Sequence, residues 1–380
     1  MDATLHDVTG HPDNTDWSSL AHFQLGPGVT VPAEIVVDQS NWSLYALDKP
    51  TRQAIFVDLP EDLDLSRSPF AYSDQQRFAR RVLKVPFDLL NDLAKMIPAP
   101  QKVIFIFSIG RCGSTLVANA LSTAPSVWSL SEPDVYSLLI MQNYKDGDRL
   151  DYAREEAIGL IRACTRLLFR PLPGRDCTVL AVKFRSQTLF QADLYHAAWP
   201  DASFVFLYRD AMNWANSVFQ MACKYGFPPT LTGEQRGHIW NCFAAATDVV
   251  RLRPYVDIDA PEVLLEDALA PCWACNMEEY SRHLSSGVPF MALRYNDLNA
   301  DRAASLRHLF AHCGLSEEDA ASALSAFDHD SQAGTMVSHE VPADSLTLDQ
   351  VARVRHILQQ QPSFNDPDLR LDDIYTGATS

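Results

Sequence analysis

Basic residues are in short supply in this chain: 31 Lys and Arg against 48 Asp and Glu leave a formal charge of −17 over 380 residues. Such a surface repels phosphate backbones and anionic lipid, which excludes general nucleic-acid or membrane-surface binding; a locally basic pocket would still draw in a small anion. No apolar run is long enough to span a bilayer, and the residues before Trp17 lack the apolar core of a secretory leader. The histidines show no HExxH or comparable spacing, so no metal site is expected. Cysteines are scattered, and the one CxxC, Cys272 and Cys275 in CWAC, has neither a second pair nor a βαβ context. Free thiols in a helix and a reducing cytoplasm are the expectation. Internal repeats and low-complexity tracts are also missing. What remains is ordinary globular composition, 47% hydrophobic and 21% charged, which argues against disorder, and a length that suits one large α/β unit with additions.

The most informative stretch is 103–121, VIFIFSIGRCGSTLVANAL. Five consecutive apolar residues, 103–107, predict a strand buried on both faces, as in parallel sheets with helices on each side. Ser108, Ile109, Gly110, Arg111, Cys112 and Gly113 then turn the chain, and Ser114 and Thr115 open a helix whose Leu116, Val117, Ala120 and Leu121 share one side. A strand, a glycine loop and a helix start direct free backbone N–H groups and the positive helix end at one point, a ready site for phosphate or sulfate. It is not a Walker A loop: no lysine precedes Ser114, and the glycines stand too close together. An ordinary βα turn using glycine for tightness would explain the loop equally well if it stood alone.

Before this stretch, residues 1–30 read as an irregular arm, 34–37, 42–46 and 53–58 as short strands, and 73–83 and 87–96 as helices ended by Pro98 and Pro100. These predict a division into an N-terminal arm with a small β/α accessory, 1–98, and an α/β domain, 99–380. After it, strands at 126–130, 178–182, 204–208 and 289–293 alternate with helical segments at 135–142, 151–169, 212–225, 234–252 and 273–285. Strands separated by helices imply a mainly parallel sheet whose ligands bind beyond the strand carboxyl ends. Arg111, Glu132, Lys183, Arg185, Arg209 and Arg294 all fall at or just after such ends. The fold is therefore expected to gather many of them along one edge.

The order of residues in 111–115, RCGST, resembles the 5′-phosphosulfate loop of sulfotransferases that use 3′-phosphoadenosine 5′-phosphosulfate, (K/R)-S-G-(S/T)-T, with Cys112 in place of the usual serine. The segment 204–217, FVFLYRDAMNWANS, is similar to the family's second signature, an apolar strand, Arg-Asp, and a serine on the following helix. The resemblance implies that Gly110, Arg111, Cys112, Gly113, Ser114 and Thr115 bind the 5′ end of the nucleotide and that Arg209 and Ser217 hold its 3′-phosphate. Guanidinium and hydroxyl groups suit that task. Residues 292–298, ALRYNDL, resemble the family's RYEDL strand end, with Asn296 where an acid is frequent. The cytosolic branch places a histidine two residues after a strand lysine; Lys183 is followed here by Arg185. Residues 131–133, SEP, resemble instead the tyrosylprotein and heparan-type branches, which makes Glu132 the implied general base, with Lys183 and Arg111 stabilising the bridging oxygen and the sulfate. A capping or salt-bridge role for Glu132 is the plain alternative. No RKG tripeptide occurs near the C-terminus; the resemblance offers Ser331, Gln332, Ala333 and Gly334 as a substitute small-residue loop over the nucleotide, and an ordinary turn between helices explains them as well.

The resemblance thus implies a P-loop-type three-layer α/β fold with a mainly parallel central sheet of about five strands and a small N-terminal β accessory. It implies sulfuryl transfer from 3′-phosphoadenosine 5′-phosphosulfate to an unidentified hydroxyl or amine acceptor, without metal, nucleic acid or a membrane span. A catalytically silent nucleotide-binding protein and a P-loop kinase are the alternatives.

Overall fold

A computed structural model describes residues 2–12, 18–141, 152–171, 174–233, 235–237, 257, 259–336, 338 and 340–371. Its strands are β1 Asp2–Gly10, β2 Gln24–Leu25, β3 Val29–Pro32, β4 Trp42–Asp48, β5 Gln53–Asp58, β6 Arg81–Pro86, β7 Lys102–Ser108, β8 Val127–Ser131, β9 Val179–Lys183, β10 Ser203–Tyr208, β11 Thr230–Thr232, β12 Glu262–Leu264 and β13 Phe290–Arg294. The fold is mixed α/β: a central five-stranded sheet in the order β13-β10-β7-β9-β8, and an antiparallel N-terminal sheet in which β6 lies between β1 and β5. The expected central strands all form, shifted by at most a residue or two, because their apolar runs are buried on both faces; only Lys102 of β7 is not buried. The helical segment expected at 234–252 lies almost wholly outside the described residues.

By contacts the chain divides into two compact units, one of 1–104, 124–184 and 194–202, the other of 105–123, 185–193 and 203–380. The N-terminal sheet lies in the first of these units, together with 124–184. In this first unit β8 and β9 run parallel with Ser131 opposite Lys183, so Glu132 emerges beside the end of β9. In the second, β10 and β13 run parallel with Tyr208 opposite Arg294, which brings Arg209 beside Tyr295. Stacked rings, Phe107 with Phe204 at 5.8 Å and Phe206 with Tyr280 at 4.5 Å, pack these strands against one another and against the helix Leu265–Ser285.

Three N-terminal expectations fail. Residues 2–10 form a regular strand paired to β3 and β6, not an irregular arm, because partners far along the chain supply the hydrogen bonds that local sequence does not announce. The β-branched run at 35–37 is a single helical turn, Ile35–Asp38, with the Gln39 N–H donating to the Ile35 carbonyl. The helix expected over 73–83 ends at Phe78, and Arg81–Pro86 crosses into the sheet, where Val82, Leu83 and Val85 are buried. The helix expected from 273 starts at Leu265 and continues through Pro271, whose missing N–H is tolerated inside a helix buried on most sides. Cys272 and Cys275 lie in it, both buried. Among the described residues no helix is long and apolar enough to cross a membrane, and no cluster of His, Cys, Asp or Glu could hold a metal.

Candidate functional site

The loop after β7 is wound by three left-handed backbone positions, Gly110 at φ 71°, Arg111 at φ 51° and Gly113 at φ 77°. Glycine accepts such angles freely, whereas at Arg111 the same angle costs about 1–2 kcal/mol. Strain of this kind persists where surroundings enforce it. Here the enforcement comes from donors within the fold. Trp214, fully buried on the helix Ala211–Lys224, donates its indole N–H to the carbonyls of Ile109 at 3.1 Å and Gly110 at 3.0 Å. The Ile109 N–H donates to the Leu207 carbonyl at 3.2 Å, and the Cys112 thiol points to the same oxygen at 3.3 Å. Cys112 therefore faces inward, and its side chain serves the loop's anchorage. Next comes the helix Ser114–Ser122, whose N-terminus carries no side-chain cap. Its uncapped N–H groups and positive end face the loop's concave side.

Gly113 is required for a second reason. A Cβ at this position would lie 2.6 Å from two ring carbons of Tyr295. Over the same ring lies the Arg209 guanidinium, 4.9 Å from the centroid. Trp273, on the long helix, donates to the Arg209 carbonyl at 2.9 Å, and Asp210 caps the helix Ala211–Lys224 by accepting the Asn213 N–H at 2.9 Å. Asn296 meets this turn as well, its side-chain oxygen 3.4 Å from the Asp210 N–H.

These supports bring three residues expected at the site to one place. Arg111 donates from Nε to the Ser217 hydroxyl at 3.2 Å, and an Arg209 terminal N–H reaches the Arg111 carbonyl at 3.5 Å. Burial, and after it the neighbouring Arg209 charge, lowers the Arg111 pKa. Two guanidinium groups held this close are a place for an anion. Arg111 also donates to the Gln332 side-chain oxygen at 2.9 Å, so the 331–334 turn does reach the loop. Arg294 behaves otherwise: it is buried, and its ion-pair partner is Asp368, at 3.7 Å.

In the first unit Glu132 and Lys183 form a separate pair. Their side chains make an ion pair, and the Glu132 N–H donates to the Lys183 carbonyl at 2.7 Å. Glu132 takes φ 53°, a second strained non-glycine position at a strand end. Lys183 is 4% exposed, with its ammonium 5.9 Å from the Phe70 ring centroid. Sequence reasoning missed Trp214, Trp273, Tyr295 and Lys224; the indoles carry a signal, since a buried tryptophan needs an acceptor and helix-borne ones beside a strand end find carbonyls there.

No protein-family model matches the chain, and no curated protein does. Solved structures with similarity include a sulfotransferase from Alicyclobacillus acidocaldarius, 17% identical over 61% of this chain and 93% of that one, TM-score 0.36. Mouse sulfotransferase SULT7A1 complexed with PAP is 14% identical over 72% and 88%, TM-score 0.38. The sulfotransferase domain from the curacin biosynthetic pathway is 14% identical over 69% and 99%, TM-score 0.38. At such identities and TM-scores the likeness carries no argument.

Proposed function

We propose that this protein transfers a sulfuryl group from 3′-phosphoadenosine 5′-phosphosulfate to a hydroxyl or amine acceptor and releases adenosine 3′,5′-bisphosphate. The carrying observation is that Arg111 meets Arg209 and Ser217, 98 and 106 residues further along the chain, at one uncapped helix start. The fit to a phosphate-bearing ligand rests on one further feature. The Nε of Arg209 is buried and, among the described residues, has no hydrogen-bond partner, the condition of a donor awaiting an acceptor.

The nucleotide supplies an activated sulfuryl group with a phosphate leaving group. Arg111, with the N–H groups of 110–115, neutralises the charge that collects on the phosphate oxygen as its bond to sulfur breaks. Arg209 and Ser217 hold the second phosphate and fix the nucleotide's position. Glu132 takes the proton from the acceptor as its oxygen or nitrogen bonds to sulfur, and Lys183 offsets charge on the bridging oxygen. No metal is assigned a role. A catalytically silent nucleotide binder is the second reading, favoured by one observation: the Glu132 carboxylate is already engaged with Lys183.

Titration of the full chain with adenosine 3′,5′-bisphosphate, ATP and NAD tests the nucleotide, and transfer of radiolabelled sulfate to a panel of phenols, alcohols and amines tests the chemistry. Bisphosphate binding with label transfer is the expected outcome. Binding without transfer to any acceptor selects the silent binder, and magnesium-dependent phosphate transfer from ATP would replace both with a kinase.

A further inference from the structure

Lys224 ends the helix Ala211–Lys224, seven residues after Ser217 and therefore on the same face, two turns further along. Its ammonium donates to the Ser338 carbonyl at 2.9 Å. From there a chain of contacts leads back to the loop. The Ser338 hydroxyl donates to one Asp330 oxygen at 2.8 Å, the other accepts the Gln332 N–H at 2.9 Å, and the Gln332 side chain accepts from Arg111 at 2.9 Å. Arg111 in turn bonds Ser217 at 3.2 Å, on the helix that carries Lys224. The circuit is closed, and it runs through the Arg111–Ser217 contact assigned above to phosphate.

Charge within this ring is unbalanced. Burial first, then the nearby Arg111 charge, lowers the Lys224 pKa, and Asp330 opposes them without prevailing. Among the described residues Lys224 gives its hydrogen bond to a neutral carbonyl rather than to a carboxylate. With 48 acidic residues in the chain, leaving three cations, Arg111, Arg209 and Lys224, near one another with so little pairing among the described residues is a costly arrangement that a ligand of high negative charge would relieve. Ammonium groups serve such ligands as mobile point charges.

We propose that Lys224 is a specificity-determining residue of the pocket: it adds the cation that distinguishes a nucleotide bearing two phosphate groups from one bearing a single phosphate. This builds on the nucleotide reading of the preceding subsection. On binding, the ammonium leaves the Ser338 carbonyl for a phosphate oxygen, and the 330–338 segment keeps its own Asp330–Ser338 and Asp330–Gln332 contacts.

Calorimetric titration of the full chain with adenosine 3′,5′-bisphosphate and with adenosine 5′-monophosphate tests it, using wild type, Lys224→Met and Lys224→Arg. The expected result is about a tenfold loss of bisphosphate affinity in Lys224→Met, the worth of one charge-assisted contact. Monophosphate affinity should stay within about twofold, and Lys224→Arg should keep most of the preference. Equal weakening for both nucleotides, the signature of a structural latch, overturns the inference, as does unchanged binding of both. Should wild type bind neither nucleotide, the reading of the pocket fails and this inference with it. If Lys224→Met does not fold, Lys224→Arg and the salt dependence of wild-type binding decide: a bisphosphate slope no steeper than the monophosphate slope overturns it.

Discussion

Replacing Gly113 by alanine separates two costs that the loop geometry combines. The residue sits at φ 77°, where a side chain costs about 1–2 kcal/mol. The new methyl would also stand 2.6 Å from Tyr295 Cδ2 and Cε2, so the ring must move, at about 1–3 kcal/mol for overpacking of this kind. Gly287 supplies the control: its φ is 89°, and a Cβ there meets nothing within 4 Å. Gly287→Ala should cost about 1–2 kcal/mol and Gly113→Ala about 2–5 kcal/mol, both read by urea unfolding. Displacing Tyr295 also withdraws the ring beneath Arg209, 4.9 Å from its guanidinium carbon. Loss of that contact, about 0.7 kcal/mol or more, weakens bisphosphate binding at least about threefold in the alanine variant. If Gly113→Ala unfolds no more readily than Gly287→Ala and binds the bisphosphate like wild type, the glycine is not there for Tyr295, and the coupling of loop, ring and Arg209 is wrong.

Arg209→Ala and Ser217→Ala should each weaken bisphosphate binding in titration, Arg209 by about tenfold or more and Ser217 by less, because one removes a charge and the other a single hydroxyl. Glu132→Gln should leave bisphosphate affinity unchanged and cut sulfate transfer by about 100-fold or more; unchanged turnover would remove Glu132 as the proton acceptor. Trp214→Phe should destabilise the chain by about 1–3 kcal/mol in denaturant titration, since one buried and one part-buried carbonyl lose their indole donor, and should weaken bisphosphate binding as the loop relaxes. Asp58→Asn should cost about 2 kcal/mol in the same assay: the carboxylate is 2% exposed between Arg80 at 3.0 Å and Arg81 at 2.7 Å, and both arginines remain partly solvated.

How far the sequence foretold this follows from the range of the interactions concerned. The central strands were legible because 103–107 and 204–208 bury both faces and so read as unbroken apolar runs. Arg111, Arg209 and Ser217 were legible as a set because each follows such a run at a fixed short spacing, and the parallel register then aligns the strand ends. The N-terminal sheet was only partly legible. Residues 2–10 alternate too weakly to stand as a strand without β3 and β6, and IVV at 35–37 has β propensity that its surroundings override. The 331–334 turn could be named but not placed: the contact that brings Gln332 to Arg111 spans 221 residues. Lys224 was invisible for the same reason, being a helix-end lysine until Ser338 and Asp330 fold back over it.

The tryptophans show why a chain of charge −17 can nevertheless build a place for an anion. A strand-end loop exposes as many carbonyl oxygens as N–H groups, and unpaired oxygens would repel phosphate. Here the oxygens are taken up from within: Ile109 and Gly110 by Trp214, Leu207 by the Ile109 N–H and Cys112, Arg209 by Trp273, and Arg111 by the Arg209 guanidinium. Each donor but the last comes from the buried interior. Partial positive charge is therefore left facing the loop's concave side, where the uncapped helix start adds its own. On the proposed reading, selectivity for an anion is set by where the acceptors are hidden as much as by where the arginines are placed. For the same reason Cys112 entails no loss at the ligand side relative to a serine: a serine there would direct its hydroxyl to the same Leu207 oxygen. Cys112→Ser should accordingly leave bisphosphate affinity within about twofold of wild type, and a tenfold gain would show that the side chain at this position reaches the ligand after all.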